Sequence, residues 1–126
     1  MKILIDTHVF LWGLLDEAKI SSRVRELLPT ADVWMSVASL WEIIAKVQLG
    51  KLDLPSPTSA YLTAQLKANG VSVLPITFDH VKRLEQLPLH HRDPFDRILI
   101  AQSLEESLEL VSADPQFAKY PIHLIW

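Results

Sequence analysis

Five acidic residues stand out by their surroundings. Asp6 closes the apolar run KILI (2–5), Asp114 follows LELVSA (108–113), Asp93 and Asp96 open DPFDRILIAQS, and Glu42 lies inside SVASLWEIIAKV. Singly, each has a structural reading. Aspartate before proline is an ordinary helix N-cap, with proline at the first helical position, and an acid in the first turn complements the helix dipole. Glu42 and Lys46 have the i,i+4 spacing of a surface pair that contributes about 0.3–0.5 kcal/mol. Together the acids imply other chemistry, because carboxylates within a few ångströms repel one another unless a cation neutralises them or protons are taken up. Oxygen donors without cysteine suit Mg²⁺ or Mn²⁺. A hard divalent ion in an acidic cleft suits phosphodiester hydrolysis, where it activates water, orients the phosphate and stabilises developing charge.

Whether these acids meet depends on the elements that carry them. KILI, DVWMS (32–36), VSVLPI (71–76), LELVSA and IHLI (122–125) are short runs that predict strands. Helical spacing marks HVFLWGLL, the serine-capped SSRVRELL (21–28), VASLWEIIAKVQLG closed by Gly50, AYLTAQLKANG ending on Asn-Gly, TFDHVKRLEQL (77–87), and the stretch from Pro94 to about Ser107. LPSPTS (54–59) and PLHHRD (88–93) read as loops, and DPQF as a turn. Strands alternating with helices predict an α/β fold: a three-layer α/β/α domain around a mainly parallel sheet.

In such sheets ligands sit beyond the carboxyl ends of the strands. Asp6, Ser36 and Asp114 all end strands there. A helix starting at Pro94 runs antiparallel to the strands, which brings Asp93 and Asp96 to the same edge. Ser39, Glu42 and Lys46 form a narrow polar stripe on an otherwise apolar helix, with Glu42 too far in to be a cap.

The chain has 126 residues, which predicts one domain over 1–126. Its 49% apolar content, including Trp12, Trp34, Trp41 and Trp126, leaves an excess that would cover a partner surface. A net charge of −3 gives no bulk attraction for nucleic acid, so a polyanion would be handled locally. Lys46, Lys51, Arg92 and Arg97 lie near the cleft in sequence and are candidates for phosphate contacts, the alternative being a solvated face. No cysteine means no disulfide and no thiolate metal site, which is compatible with a reducing compartment. The opening MKILIDTHVFLWGLL is interrupted by Asp6, lacks a small-residue cleavage pattern, and is too short to cross a bilayer, so the expectation is a cytoplasmic protein without a membrane partner. His90 and His91 are not expected as metal ligands, because neighbouring side chains in an extended loop point apart.

LIDTHVFLW, SVASLWEIIAK, HRDPFDRILIAQS and LVSADPQF, in this order and across nearly the whole chain, resemble the PIN domain, specifically the small bacterial ribonuclease toxins of the VapC type. The resemblance implies a Mg²⁺- or Mn²⁺-dependent endoribonuclease acting on RNA, held inactive by a cognate antitoxin and forming a homodimer. The family's first, second and fourth acids fall on Asp6, Glu42 and Asp114. The third is placed on Asp96, eighteen residues before Asp114, leaving Asp93 as the N-cap or a supporting ligand. An ungapped match through Leu99, Ile100 and Ala101 would instead put Arg97 at the acid position. Asp6, Asp96 and Asp114 are then expected to hold metal, with Glu42 either a further ligand or the group that orients and deprotonates the attacking water. The implied products are a 3′-hydroxyl and a 5′-phosphate. Thr7 would orient the Asp6 carboxylate or a bound water, Ser36 would cap the Glu42 helix, and His8, where the family often has asparagine, is expected to be packed or solvent-facing. No His–acid pair surrounds Ser39, so no covalent nucleophile is expected.

Other classes use similar residues. A receiver-like binding module with an acidic metal pocket wants paired acids after the first strand and a lysine ending the last; LIDTH offers one acid and PIHLIW no lysine. A PIN-like fold without catalysis would not need all four acids. Phosphatase or 5′-nuclease chemistry would use the same metals and differ in whether cleavage starts inside a chain.

Overall fold

A computed structural model describes residues 1–126. Five strands, β1 (Lys2–Ile5), β2 (Asp32–Ser36), β3 (Ser72–Leu74), β4 (Glu109–Val111) and β5 (Leu124–Ile125), form one sheet in the order β3-β2-β1-β4-β5. Every neighbouring pair is parallel. Six helices connect and cover it: α1 (Thr7–Leu15), α2 (Ser22–Leu27), α3 (Val37–Gln48), α4 (Thr58–Ala68), α5 (Phe78–Arg83) and α6 (Pro94–Glu105).

The alternation of the strands builds two cores. On one face Ile3 and Ile5 join Val33, Met35 and Val111 under Val9 and Phe10 of α1, Val24 of α2, Ile43 of α3 and Leu62 and Leu66 of α4. On the other, Leu4 and Leu110 pack against Ile98, Leu99, Ile100 and Ala101 of α6, with Phe117 and Tyr120. A period of two in the strands thus places helices on both faces, as the alternating pattern predicts.

Three of the strands are shorter than their apolar runs suggest. Ladder pairing in β4 stops at Val111, and Ser112 to Asp114 leave the sheet to form the turn before a short 3₁₀ helix, Pro115–Lys119. β5 has two residues, paired only with Leu110 and Val111. Both expected helix stops after α3 and α4 form, with Gly50 at φ 72° and Gly70 at φ 63°, the left-handed backbone that glycine adopts without strain. The TFDHVKRLEQL run divides into α5 and a 3₁₀ turn, Leu84–Gln86.

This connectivity positions the site. The chain moves outward from β1 through β2 to β3, then crosses back to lay β4 on the other side of β1. Crossovers leave opposite faces of the sheet where the order reverses, and a crevice opens there beyond the strand ends. β1 and β4 flank that reversal, and Asp6 and Ser112 are the residues immediately after them.

Candidate metal centre

Asp6 follows β1 and caps α1. Its Oδ1 accepts the N–H of Val9 at 2.8 Å, and its Oδ2 accepts a short hydrogen bond from the Ser112 hydroxyl. The same Ser112 oxygen accepts the N–H of Asp114 at 3.0 Å. One buried serine therefore ties the ends of β1 and β4 together. Asp114 uses Oδ1 to cap the 3₁₀ helix through Gln116 N–H at 2.9 Å, while Oδ2 faces His91. For Asp114 capping and site formation are not alternatives, because one carboxylate oxygen caps while the other faces His91.

Asp93 and Asp96 divide the labour. Asp93 Oδ1 accepts the N–H groups of Phe95 at 2.8 Å and Asp96 at 3.3 Å, which makes Asp93 the N-cap of α6. Asp96, one turn in, turns its carboxylate toward the other acids. Burial first, then the charge of Asp93, push its carboxyl up to about 7; Glu42 and Asp6 add to the rise and His91 opposes it. Burial likewise pushes Asp6 up from the usual carboxylate range, against the hydrogen bonds from Ser112 and Val9; Asp114 adds a smaller push. Negative charges crowd at one place, buried at Asp6 and half-buried at Asp96 and Asp114.

Glu42 is buried on α3, whose N-cap is Ser36 through Ala38 N–H at 3.0 Å. Its Oε1 accepts the Thr7 hydroxyl at 2.7 Å and its Oε2 lies 3.1 Å from Lys46 Nζ. Thr7 thus orients Glu42, not the Asp6 carboxylate. Lys46 is committed to Glu42 as well.

Arg97, a candidate for phosphate contact, is engaged elsewhere. Its guanidinium donates to Pro88 O at 2.9 Å, to Leu84 O and the Tyr120 hydroxyl at 3.3 Å, and to Leu87 O at 3.4 Å. It binds the loop that precedes α6, because a chain turning from Leu84 to His91 leaves carbonyls without helical partners and a fork of N–H groups satisfies several at once. Arg92 and Lys51 are exposed, as is His8, whose ring is 5.9 Å from Trp12.

His91 enters the site, contrary to the expectation from its loop. Its Nε2 is 3.0 Å from Asp96 Oδ2 and 3.5 Å from Asp114 Oδ2. One atom from each of His91, Asp96 and Asp114 lies within 4.8 Å of the others. The adjacent His90 instead packs edge-on against Tyr120 at 5.3 Å, so the two rings do point apart and only one reaches the acids. Ser112 went unnoticed in the sequence too; its signal was a serine two residues before an aspartate at a strand end, a spacing that allows a side-chain-to-backbone turn.

The donor set fits a hard divalent cation. The atoms gathered at ligating distance are one nitrogen of His91 and one carboxylate oxygen each of Asp96 and Asp114; Asp6 and Glu42 add negative charge beside them, and the raised Asp6 and Asp96 carboxyls mark charge that protons or a cation would relieve.

The PIN domain family model matches residues 3–122. Among curated proteins, none matches the sequence at a significant level. Among solved structures, the chain is similar to a VapBC2 complex from Rickettsia felis bound to a DNA fragment from its promoter, at 13% identity and a TM-score of 0.76, covering 99% of this chain and 98% of that one. A DNA-bound VapBC from Salmonella typhimurium gives 15% identity and a TM-score of 0.75, covering 99% and 97%. FitAcB from Neisseria gonorrhoeae gives 20% and 0.69, covering 100% and 97%.

Proposed function

The chain belongs to the PIN domain family, and from that premise we propose that it is a Mg²⁺- or Mn²⁺-dependent endoribonuclease, the toxin of a VapC-type toxin–antitoxin pair. The observation that carries this reading is the crowding at Asp96. Atoms of Asp96, Asp114 and His91 lie within 4.8 Å of one another, and burial with the neighbouring acids pushes the Asp96 carboxyl up, a costly arrangement for a domain that only had to start a helix.

Asp6, Asp96 and Asp114 would hold the ion. When bound, it supplies Lewis acidity toward the phosphate and offsets the charge of the acids. Glu42, oriented by Thr7 and Lys46, takes the proton from the attacking water. Ser112 keeps Asp6 and Asp114 in register, so that the ends of β1 and β4 present their carboxylates together. Attack at phosphorus breaks the P–O3′ bond and leaves a 3′-hydroxyl and a 5′-phosphate.

Two kinds of protein partner accompany this reading: a cognate antitoxin and a second copy of the chain. The solved neighbours include toxin–antitoxin complexes. Trp41, Leu49, Phe78 and Leu89 are exposed, and an apolar cavity of about 410 Å³ opens beside α1 and α2, lined by Phe10, Leu14, Ile20 and Leu28 among others. Apolar surface of this kind serves association. No helix is long and apolar enough to cross a membrane, and the proposed place of action is the cytoplasm.

The test is cleavage of an internally labelled RNA pool by the purified protein with Mg²⁺, Mn²⁺ or EDTA, beside Asp96→Asn. Metal-dependent internal cuts that vanish in the variant are expected. Metal binding without cuts in any condition would overturn the general nuclease reading in favour of a non-catalytic partner role.

A further inference from the structure

Trp41 is 64% exposed, although indole is among the side chains that gain most from burial. The Phe95 ring stands 5.0 Å from it at 82°, the edge-to-face arrangement that aromatic pairs favour, and braces it. Whichever ring offers its edge, at least one face of the indole is clear of Phe95. The other exposed aromatic, Phe78, differs, since Lys82 Nζ lies over its ring, 5.4 Å from the centroid.

Position ties the pair to the acids. Trp41 precedes Glu42 on α3, Phe95 precedes Asp96 on α6, and the two helices pack together. Successive helical residues are about 100° apart around the axis, so each acid is directed inward while its aromatic neighbour turns to the rim. Glu42 is accordingly buried and Trp41 exposed. In a single strand every phosphate is flanked by two nucleosides, so a phosphate at the acids brings bases to this rim. Every base has a π-face, and stacking it on an aromatic side chain requires no positive charge. That suits a chain of net charge −3 whose Lys46 and Arg97 are already engaged within the protein. A second copy is the less suited cover, because a symmetric contact through Trp41 would bring two acidic crevices together.

Resting on the endoribonuclease reading, we propose that Trp41, braced by Phe95, is a base-stacking platform: one nucleobase of the strand whose phosphate lies at the acids packs face-on against the indole. The platform favours single strands, whose bases can be splayed out, and tolerates any sequence.

The probes are a mixed-sequence RNA of about eight nucleotides and an abasic strand of the same length. They are titrated in Mn²⁺ into the parent, Trp41→Ala, Trp41→Phe and Trp41→Leu, each carrying Glu42→Gln so that strands stay whole, and each checked for folding by circular dichroism. Trp41→Ala should bind the RNA about tenfold more weakly and the abasic strand equally well, as expected for the loss of one stacked base. Phenylalanine should recover most of the loss, and leucine, apolar but without a π-face, little. Unchanged RNA affinity in Trp41→Ala, full recovery by leucine, or a parent that binds both strands equally would overturn the proposal. Sedimentation of the same proteins should give one oligomeric state; a dimer that becomes monomeric in Trp41→Ala, with its preference for RNA over the abasic strand kept, would overturn it in favour of an interface between copies. With Glu42 restored, Trp41→Ala should raise KM about tenfold and leave kcat within about threefold, since a base held away from the reacting atoms contributes equally to ground and transition states. A lowered kcat at unchanged KM would overturn it. Stacking at Trp41 without cuts in any metal would sink the endoribonuclease reading and leave the RNA platform standing.

Discussion

Asp93 and Asp96 are three residues apart, and asparagine distinguishes them. Asparagine caps about as well as aspartate, so Asp93→Asn should keep α6 and leave cleavage within a few-fold of wild type. Asp96→Asn removes a carboxylate from the acid cluster and should lower the initial rate in Mn²⁺ on the order of a hundredfold or more, with the circular dichroism spectrum unchanged. The same residue sets a pH dependence in metal-free protein. Folded, the Asp96 carboxyl is pushed up to about 7 from a usual 3.8, so between those values the folded chain binds more protons than the unfolded one. Stability contributed by protonated Asp96 is therefore present at low pH, is lost as pH rises from about 4 to about 7, and levels off above. Thermal melts in EDTA at pH 8 should show Asp96→Asn more stable than wild type by roughly 3–6 °C, the figure for about 1 kcal/mol in a chain of this size. A lower Tm for the variant would show that the carboxylate is satisfied without metal.

Elements carry the site where single side chains cannot. Helices α1, α3 and α6 all begin at the carboxyl edge of the sheet with a capping oxygen, from Asp6, Ser36 and Asp93. Those starts were legible in the sequence, since a cap is a local bargain between a side chain and the next two or three amides. The loop between α5 and α6 was not. PLHHRD reads as an irregular connection, and what organises it is Arg97, from inside the following helix, with Tyr120, from beyond β4. Arg97→Met should free several carbonyls, cost about 1–3 kcal/mol, and raise amide exchange over residues 84–91. Arg97→Lys should restore little of it, because one ammonium cannot reproduce the planar fork. Activity should fall in both through the misplaced His91 and Asp96; unchanged exchange in Arg97→Met would show that the loop is held by packing alone.

At the scale of the whole molecule, the switch in strand order between β1 and β4 decides where the crevice opens, and the local charges decide how RNA would be held there. The chain carries a net charge of −3, and two of the cations near the site are committed within the protein, Lys46 to Glu42 and Arg97 to backbone carbonyls. Few cations are left for phosphate. RNA affinity should therefore depend weakly on salt, with a log–log slope of about −0.7 to −1.4 between 50 and 200 mM KCl, as for one or two phosphate contacts on a single strand. A slope steeper than about −4 would mean that a basic surface outside this crevice, such as one built by association of two copies, contributes to binding.

What the sequence determined by itself is whatever rests on neighbours along the chain. Alternating and helical periods, glycine stops and capping residues specify the order of strands and helices, the parallel sheet between two helical layers, and the arrival of Asp6, Asp96 and Asp114 at one edge. Tertiary structure decided everything that depends on direction across the fold. Thr7 meets Glu42 across 35 residues, and Ser112 meets Asp6 across 106, through hydrogen bonds that no spacing encodes. Arg97 turns back to the loop before it and His91 turns inward, because buried carbonyls and donors take whichever partner the packed chain brings within reach. Type and order are local properties of the chain; which oxygen faces which is a property of the packed whole.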